Sequence, residues 1–262
     1  MPFCFLGLVV DVFRRAVLEC PGMSLTQNVE LVRRRIQQAC ERAGRPASSV
    51  TLIAVTKGIP LETIREAVAL GLTDLGENRV QEASDKRKLL DPWLGGLAPS
   101  PRPVRWHLIG HLQRNKAKAA SELFDVIHSV DSLRLVEALK EAAGYKRPAA
   151  DNPLEVFIQV NISGEPTKFG CRLEEAHGLA QAVSRVPRLK LSGLMTIAPF
   201  SPDPEHARPH FRCLRQLRDD LSLALSLQPS ALGLSMGMSQ DFEVAIEEGA
   251  DLVRIGTTIF GS

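Results

Sequence analysis

The stretch TLIAVTKGIPLETIREAVALGLTDLGENR, residues 51–79, holds a short aliphatic run, a Gly/Pro break, a helical pattern closed by glycine, and a second short run. TLIAVTK has the β-branched composition and length of a buried strand, while LETIREAVALG repeats its apolar residues at helical spacing. A strand, a helix and a second strand joined so closely form a right-handed crossover between parallel neighbours. The unit recurs along the chain. Six further runs, RWHLIG, VIHSVDS, LEVFIQVNIS, LKLSGLMTI, ALGLSMGM and DLVRIGTTIF, bring the strand candidates to eight, with helical patterns between them. Ahead of the first strand, NVELVRRRIQQACERAG (residues 28–44) reads as a helix ended by its glycine.

Eight strands alternating with helices predict an α/β fold, a single (β/α)8 TIM barrel with an extra N-terminal helix that fills the last gap in the ring. An open doubly wound sheet is the rival, but it expects a glycine-rich phosphate turn after the first strand, where this chain has KGIP. Residues 1–22 read as an N-terminal extension outside the fold, with Met23 as a plausible start, and residues 23–262 as the barrel domain. The Pro/Gly-rich stretches DPWLGGLAPSPRP and PFSPDPEHARP read as long loops, the second a lid over the face that carries the strand ends.

With 262 residues and 44% hydrophobic content the chain can bury a full barrel core. Its 32 Lys and Arg against 30 Asp and Glu leave a net charge of +2, too little for a basic field that would attract nucleic acid. Five scattered cysteines without a C-x-x-C pair fit a reducing cytoplasm, and no apolar run is long enough to span a bilayer. A monomer is expected.

In a barrel of this kind the site forms at the C-terminal strand ends. Lys57 ends the first strand. As a plain surface residue it would snorkel into water; as a functional one it is a partly desolvated amine able to attack an aldehyde. After the seventh strand, SMGMSQDFEVAIEEG places Ser235, Gly237 and Ser239 in a turn, with Ser239 as a helix N-cap and the acidic run as an exposed helix face. After the eighth, Gly256 allows close backbone approach and Thr257 offers a hydroxyl, the usual position for phosphate in this fold. Arg254, two residues before Gly256, should face inward. A guanidinium has only donors, so beside a pyridine ring it would keep the nitrogen unprotonated. Lysine, anion cradle and arginine together describe a site for pyridoxal 5′-phosphate. His107 and His111, four apart, have metal-ligand spacing only on a helix, and here they fall on a strand broken by Gly110. The basic turn HLQRNK reads as a solvated helix start, and Trp106 and Phe242 as core packing.

The motifs AVTKGIP, GENRVQEA, WHLIGHLQRNK, QVNISGEPTKFG, GLMTI, LSMGMSQDFEVAIEEG and VRIGTTIFG together resemble the pyridoxal phosphate homeostasis proteins, also called proline synthase co-transcribed homologues, from about the first helix to the last residue. The resemblance implies the barrel of alanine racemase standing alone, a fold type III protein. It implies pyridoxal phosphate held on Lys57 as an internal aldimine, Asn78 near the cofactor, Ser235, Gly256 and Thr257 on the phosphate, and Arg254 on the pyridine nitrogen. It implies a carrier or regulator of intracellular vitamin B6 without established turnover, with pyridoxal phosphate-dependent apoenzymes as recipients. The chain departs from the family pattern at Ile59, where relatives often have a second lysine, and at its end, Ser262, where relatives usually continue. Lys168 matches a family lysine and is a candidate for passing the cofactor on. An amino-acid racemase is the alternative, but two-base racemisation needs a second proton carrier, and the only tyrosine, Tyr145, falls in a loop after the fourth crossover helix. A cofactor-free Schiff-base aldolase is a third class.

Overall fold

The computed structural model describes residues 23–95, 103–143 and 153–261. The expected extension 1–22, Tyr145 and Ser262 lie outside the described residues. Eight strands, β1 (Thr51–Val55), β2 (Asp74–Glu77), β3 (Arg105–Leu108), β4 (Val126–Val130), β5 (Leu154–Gln159), β6 (Leu189–Met195), β7 (Gly233–Met238) and β8 (Leu252–Ile255), pair in parallel and in chain order. β8 returns to β1, with Ile53 opposite Arg254, and closes the expected barrel. No helix among the described residues is long and apolar enough to cross a membrane.

Around the barrel run α1 (Leu25–Arg42), α2 (Leu61–Ala69), α3 (Val80–Gly95), α4 (Ala117–Leu123), α5 (Leu133–Ala143), α6 (Ala176–Ser184), α7 (Arg208–Ala224), α8 (Phe242–Glu247) and the single turn α9 (Thr257–Phe260). α1 starts three residues earlier than its apolar pattern implied, because Ser24 and Gln27 form a capping box that satisfies the first free N–H groups. It packs on the last staves: Asn28 Nδ2 donates to the Ile259 carbonyl, 3.0 Å, and Arg35 pairs with Glu243 at 2.7 Å. α3 runs on through Pro92 to Gly95, five residues into what the sequence reads as loop. Trp93 there packs on the core and lies under the Arg65 guanidinium. The eighth strand stops at Ile255, and the rest of its apolar run turns into α9.

Outward-facing strand residues such as Ala54, Leu75, Leu108 and Ile255 meet the inner faces of the helices in the main core, which also buries Trp106, Phe124, Phe211 and Phe242. Each such large side chain contributes about 1.5–3 kcal/mol by leaving water. The barrel interior is different. It holds a small apolar cluster of Val126, Phe157 and Met195, and beside it buried polar groups, His107, His128, Ser235 and Arg254.

The acidic run of α8 is not the exposed face expected. Val244, Ala245 and Ile246 are buried, and every carboxylate is held by arginine, because α1 and α7 flank the helix on both sides. Glu248, 4% exposed, accepts from Arg208 and Arg212 and lies 3.2 Å from Arg215. Burial works against its charge, but the arginine hydrogen bonds and charges outweigh it and hold the carboxyl below its usual range. A depressed folded-state value makes the contribution full above the unfolded-state range near 4.5, and it is lost as the pH falls through the folded value. Glu248→Gln is expected to cost about 2 kcal/mol at neutral pH, less than a fully buried pair because the arginines remain open to water. Denaturant midpoints should show that cost near pH 7, shrinking towards pH 3; an equal gap at both would contradict the assignment.

Candidate functional site

β1 delivers Lys57 to the barrel mouth two residues beyond its last paired residue, in a turn whose Gly58 has φ +70°. Lys57 is exposed, and its amine makes no hydrogen bond or ion pair among the described residues. The residues on either side of it are tied down. Thr56 N–H donates to the Gly76 carbonyl at 2.9 Å, and Thr56 Oγ1 to Glu77 Oε1 at 2.6 Å. Lys86 Nζ donates to the Thr56 carbonyl (2.5 Å), Glu77 Oε1 and Glu82 Oε1 (both 2.7 Å), and Glu82 accepts the Gly58 N–H at 2.6 Å. Burial raises the Glu77 pKa, with the Lys86 and Thr56 hydrogen bonds opposing the shift. Sequence reasoning missed this clamp. The available signal was the i,i+4 pair Glu82–Lys86 on α3, directly after β2.

The mouth holds a cavity of about 370 Å³, within the range of small-ligand sites. Lys57 and Ile59 line it from β1, Arg254, Gly256 and Thr257 from β8, and residues 238–241 from the end of β7. From the loop after β6, residues 197–201, 203 and 204 line one side, with Phe200 itself largely exposed. Lys57, Arg254, Gly256 and Thr257, far apart in the chain, therefore share one cavity.

Arg254 is 3% exposed. Its Nη1 donates to Ser235 Oγ at 2.6 Å and its Nη2 to the Thr196 carbonyl at 2.8 Å. Burial draws its pKa down to about 10, partly opposed by the negative charge of Asp241, so it stays a cation at neutral pH. Asp241 lines the cavity. Burial raises its carboxyl, against the Met238 N–H that it accepts at 2.6 Å and the charge of Arg254.

Other expectations are placed differently. Ser235 does not line the cavity: β7 turns its side chain into the barrel, where the fully buried hydroxyl bonds Arg254 and His128. Asn78, half-buried, is also absent from the cavity lining and lies with its backbone against Gly110 after β3. Ser239 is not the N-cap of α8, which starts three residues later with Asp241 as cap. Its Oγ instead accepts the Gly256 N–H at 3.3 Å, joining the two loops of the cradle. Lys168 sits in the loop after β5, 3.0 Å from Glu165 and outside the cavity lining. His107 and His111 point to different neighbours: His107 is buried against Asp74 and His128, while His111 stacks on Phe169 beside Asp131. In HLQRNK, Arg114, Asn115 and Lys116 are exposed, as a solvated helix start should be.

Comparison with known proteins agrees with this geometry. Residues 27–262 match the family model for the alanine racemase N-terminal domain. The chain is 44% identical over 241 residues to the pyridoxal phosphate homeostasis protein of Pseudomonas aeruginosa, covering 91% of this chain and 96% of that one. Among solved structures it is similar to PipY of Synechococcus elongatus with pyridoxal phosphate bound, with a TM-score of 0.70 and 36% identity over 87% of this chain and 99% of that one. The alanine racemase of Corynebacterium glutamicum shares the barrel at a TM-score of 0.62 and only 15% identity; 89% of this chain matches 61% of the racemase, so that likeness concerns the fold. A closed eight-stranded barrel, a lysine and a buried arginine that line one cavity from the neighbouring strands β1 and β8, and 44% sequence identity along nine-tenths of the chain converge: the chain belongs to the pyridoxal phosphate homeostasis protein family.

Proposed function

We propose that this protein binds pyridoxal 5′-phosphate covalently through Lys57 and serves as a non-catalytic intracellular carrier of it. The observation that carries this reading is the meeting of a free amine and a buried, donor-only guanidinium in one cavity of about 370 Å³. When bound, pyridoxal phosphate supplies an aldehyde to condense with an amine and a conjugated ring that can withdraw electrons. The residues present fit it. Lys57 supplies the amine, and the clamp of Glu77, Glu82 and Lys86 fixes the turn that presents it. Arg254 has donors and no acceptor, so it recognises a ring nitrogen only in its unprotonated form, which weakens the ring as an electron sink. The hydroxyls of Ser239 and Thr257 offer donors to a phosphate, the Gly256 N–H being shared with Ser239 Oγ, and Ile59, Phe200 and Met238 give the ring apolar contact. Asn78 and Ser235, which lie outside the cavity lining, act on the ligand indirectly, Ser235 by holding Arg254.

The absence of turnover is part of the same reading. Besides Lys57, the carboxylates that line the cavity are Asp203 and Asp241, each tied at one oxygen to a backbone N–H, of Glu205 and Met238, and on this reading neither serves as a second base. Two-base racemisation lacks its second partner, a loss of about 10²–10⁴ in rate. Release to apoenzymes in the cytoplasm would use the lid at residues 197–204 as the exit.

Titrating the purified protein with pyridoxal phosphate should give saturable uptake of one equivalent by absorbance. The loaded protein incubated with L-alanine should form D-alanine no faster than about 10⁻² of the usual enzymatic range of 1–10³ s⁻¹. Failure to saturate would overturn the binding reading, and sustained racemisation the non-catalytic one.

A further inference from the structure

The mouth uses Arg254, held by Ser235, but three polar side chains behind them, His128, His107 and Asp74, have no part in the site described so far. Arg254 Nη1 donates to Ser235 Oγ at 2.6 Å, and Ser235 Oγ lies 2.9 Å from His128 Nδ1. His128 Nε2 lies 3.0 Å from His107 Nδ1, and His107 Nε2 lies 3.0 Å from Asp74 Oδ1. The series starts on β8, crosses the interior from β7 to β4, and ends at the first residue of β2, on the barrel end opposite the cavity. Both imidazoles and Ser235 are fully buried, whereas the Asp74 side chain is 19% exposed.

We propose that Ser235, His128, His107 and Asp74 form one oriented hydrogen-bond chain that positions Arg254 at the cavity floor and carries its counter-charge from the far end of the barrel. The two ends dictate the sense of every link. A guanidinium cannot accept, so Ser235 Oγ accepts from Arg254, and because His128 Nδ1 is the one acceptor bonded to that hydroxyl among the described residues, the hydroxyl gives its hydrogen there. His128 then carries its proton on Nε2 and donates it to His107 Nδ1. His107 in turn carries its proton on Nε2 and donates it to Asp74, an ionised acceptor. Each ring then accepts at Nδ1 and donates from Nε2, and every N–H and O–H that links the series has an acceptor.

The charges around the chain favour the same state. Burial most of all, then the neighbouring His107, Arg254 on β8 and Arg105 on β3, oppose a cation at His128 and hold its pKa well below the ordinary histidine value. Asp74 is 3.9 Å from Arg105, which itself pairs with Glu155 on β5, and Asp241 acts on Arg254 from the mouth side. Phe157 stacks on His128 with ring centroids 4.7 Å apart and planes 3° from parallel, closing the ring faces to water. No carboxylate hydrogen-bonds Arg254 directly among the described residues. A buried cation so placed needs aligned dipoles, and these links, with the Thr196 carbonyl, supply them.

The role of the chain towards the ligand rests on the proposed pyridoxal phosphate reading; its orientation does not, so two measurements separate them. Long-range ¹H–¹⁵N spectra of the histidine-labelled full-length protein without cofactor, assigned with His107→Gln and His128→Gln, should show both rings as Nε2–H tautomers at pH 8, with the His128 ring unchanged down to pH 5.5. Asp74→Asn keeps an acceptor but removes the charge, and it should shift the His128 ring nitrogens although the two residues do not touch. An Nδ1–H tautomer at His128, titration of the His128 ring in the ordinary histidine range, or a His128 signal indifferent to Asp74→Asn would overturn the proposal. In the second measurement, Ser235→Ala and Asp74→Asn should weaken pyridoxal phosphate binding about tenfold, with borohydride still labelling Lys57. Unchanged affinity in both variants would refute the positioning role. If the wild type bound no pyridoxal phosphate, the proposed function would fall, and the cofactor-free spectra would still judge the chain.

Discussion

Lys57→Ala should abolish covalent uptake of pyridoxal phosphate, lowering borohydride-trapped label by at least ~100-fold while leaving the fold intact. The amine is the group that condenses with an aldehyde, and no neighbouring side chain can replace it. Lys86 is the lysine nearest in the structure of the turn, but its Nζ is occupied by three oxygens, and Lys168 is paired with Glu165 outside the cavity lining. Because Lys57 is exposed and makes no hydrogen bond among the described residues, its removal should change stability by no more than ~0.5 kcal/mol. Intact mass after reduction, with peptide mapping, reads the outcome. Label retained at wild-type level, or mapped to another lysine, would remove Lys57 from its assigned role.

Gly237→Ala should damage both stability and binding. Gly237 has φ +93°, where an L side chain is strained, and a Cβ there would come within 2.6 Å of Ala245 Cβ and 2.9 Å of the Phe242 Cα. Neither neighbour can rotate away, since both belong to the first turns of α8. Left-handed strain of about 1–2 kcal/mol and overpacking of about 1–3 kcal/mol together predict a loss of about 3 kcal/mol. At about 2–4 °C per kcal/mol for a domain of this size, the melting temperature should fall by roughly 6–12 °C. The strain must be relieved by moving residues 238–241, which line the cavity, so ligand affinity should fall at least tenfold with it. Gly58→Ala is the control: φ is +70°, but nothing lies within 4 Å of the added carbon, and only the strain should be felt. Equal melting temperatures for the two variants would show that the contact with α8 is not what requires glycine at 237.

Most of the architecture was legible along the chain. The alternation of short apolar runs with helical patterns specified eight strands and seven crossovers, and a closed ring is the arrangement that leaves none of eight parallel strands with an open edge. The positions of Lys57, Arg254, Gly256 and Thr257 at strand ends were legible too, because in a parallel barrel every strand ends on the same face. Ser235 shows where that reading stops. Its place in a Gly/Ser-rich run is compatible with a phosphate turn, yet it lies three residues below Met238, at a level where inward side chains face the opposite wall rather than the mouth.

The clamp on the Lys57 turn and the arginines around Glu248 were hidden for a related reason. Glu77, Glu82 and Lys86 read as ordinary charges of a strand end and a helix start, and α8 reads as amphipathic with a solvated face. Only the docking of α3 over the β1 turn, and of α1 and α7 on either side of α8, turns those charges into bonds.

The sequence by itself determined the period of each element, the count of staves and the end of the barrel at which chemistry collects, since these depend on side-chain spacing within single segments. The tertiary structure alone decided that Ser235 meets His128, that His107 reaches Asp74 and that Arg254 lies over them all. Those meetings depend on the stagger between strands up to 180 residues apart in the chain, and no local pattern encodes that offset, because it is set by closing the whole ring around side chains that must fill its interior.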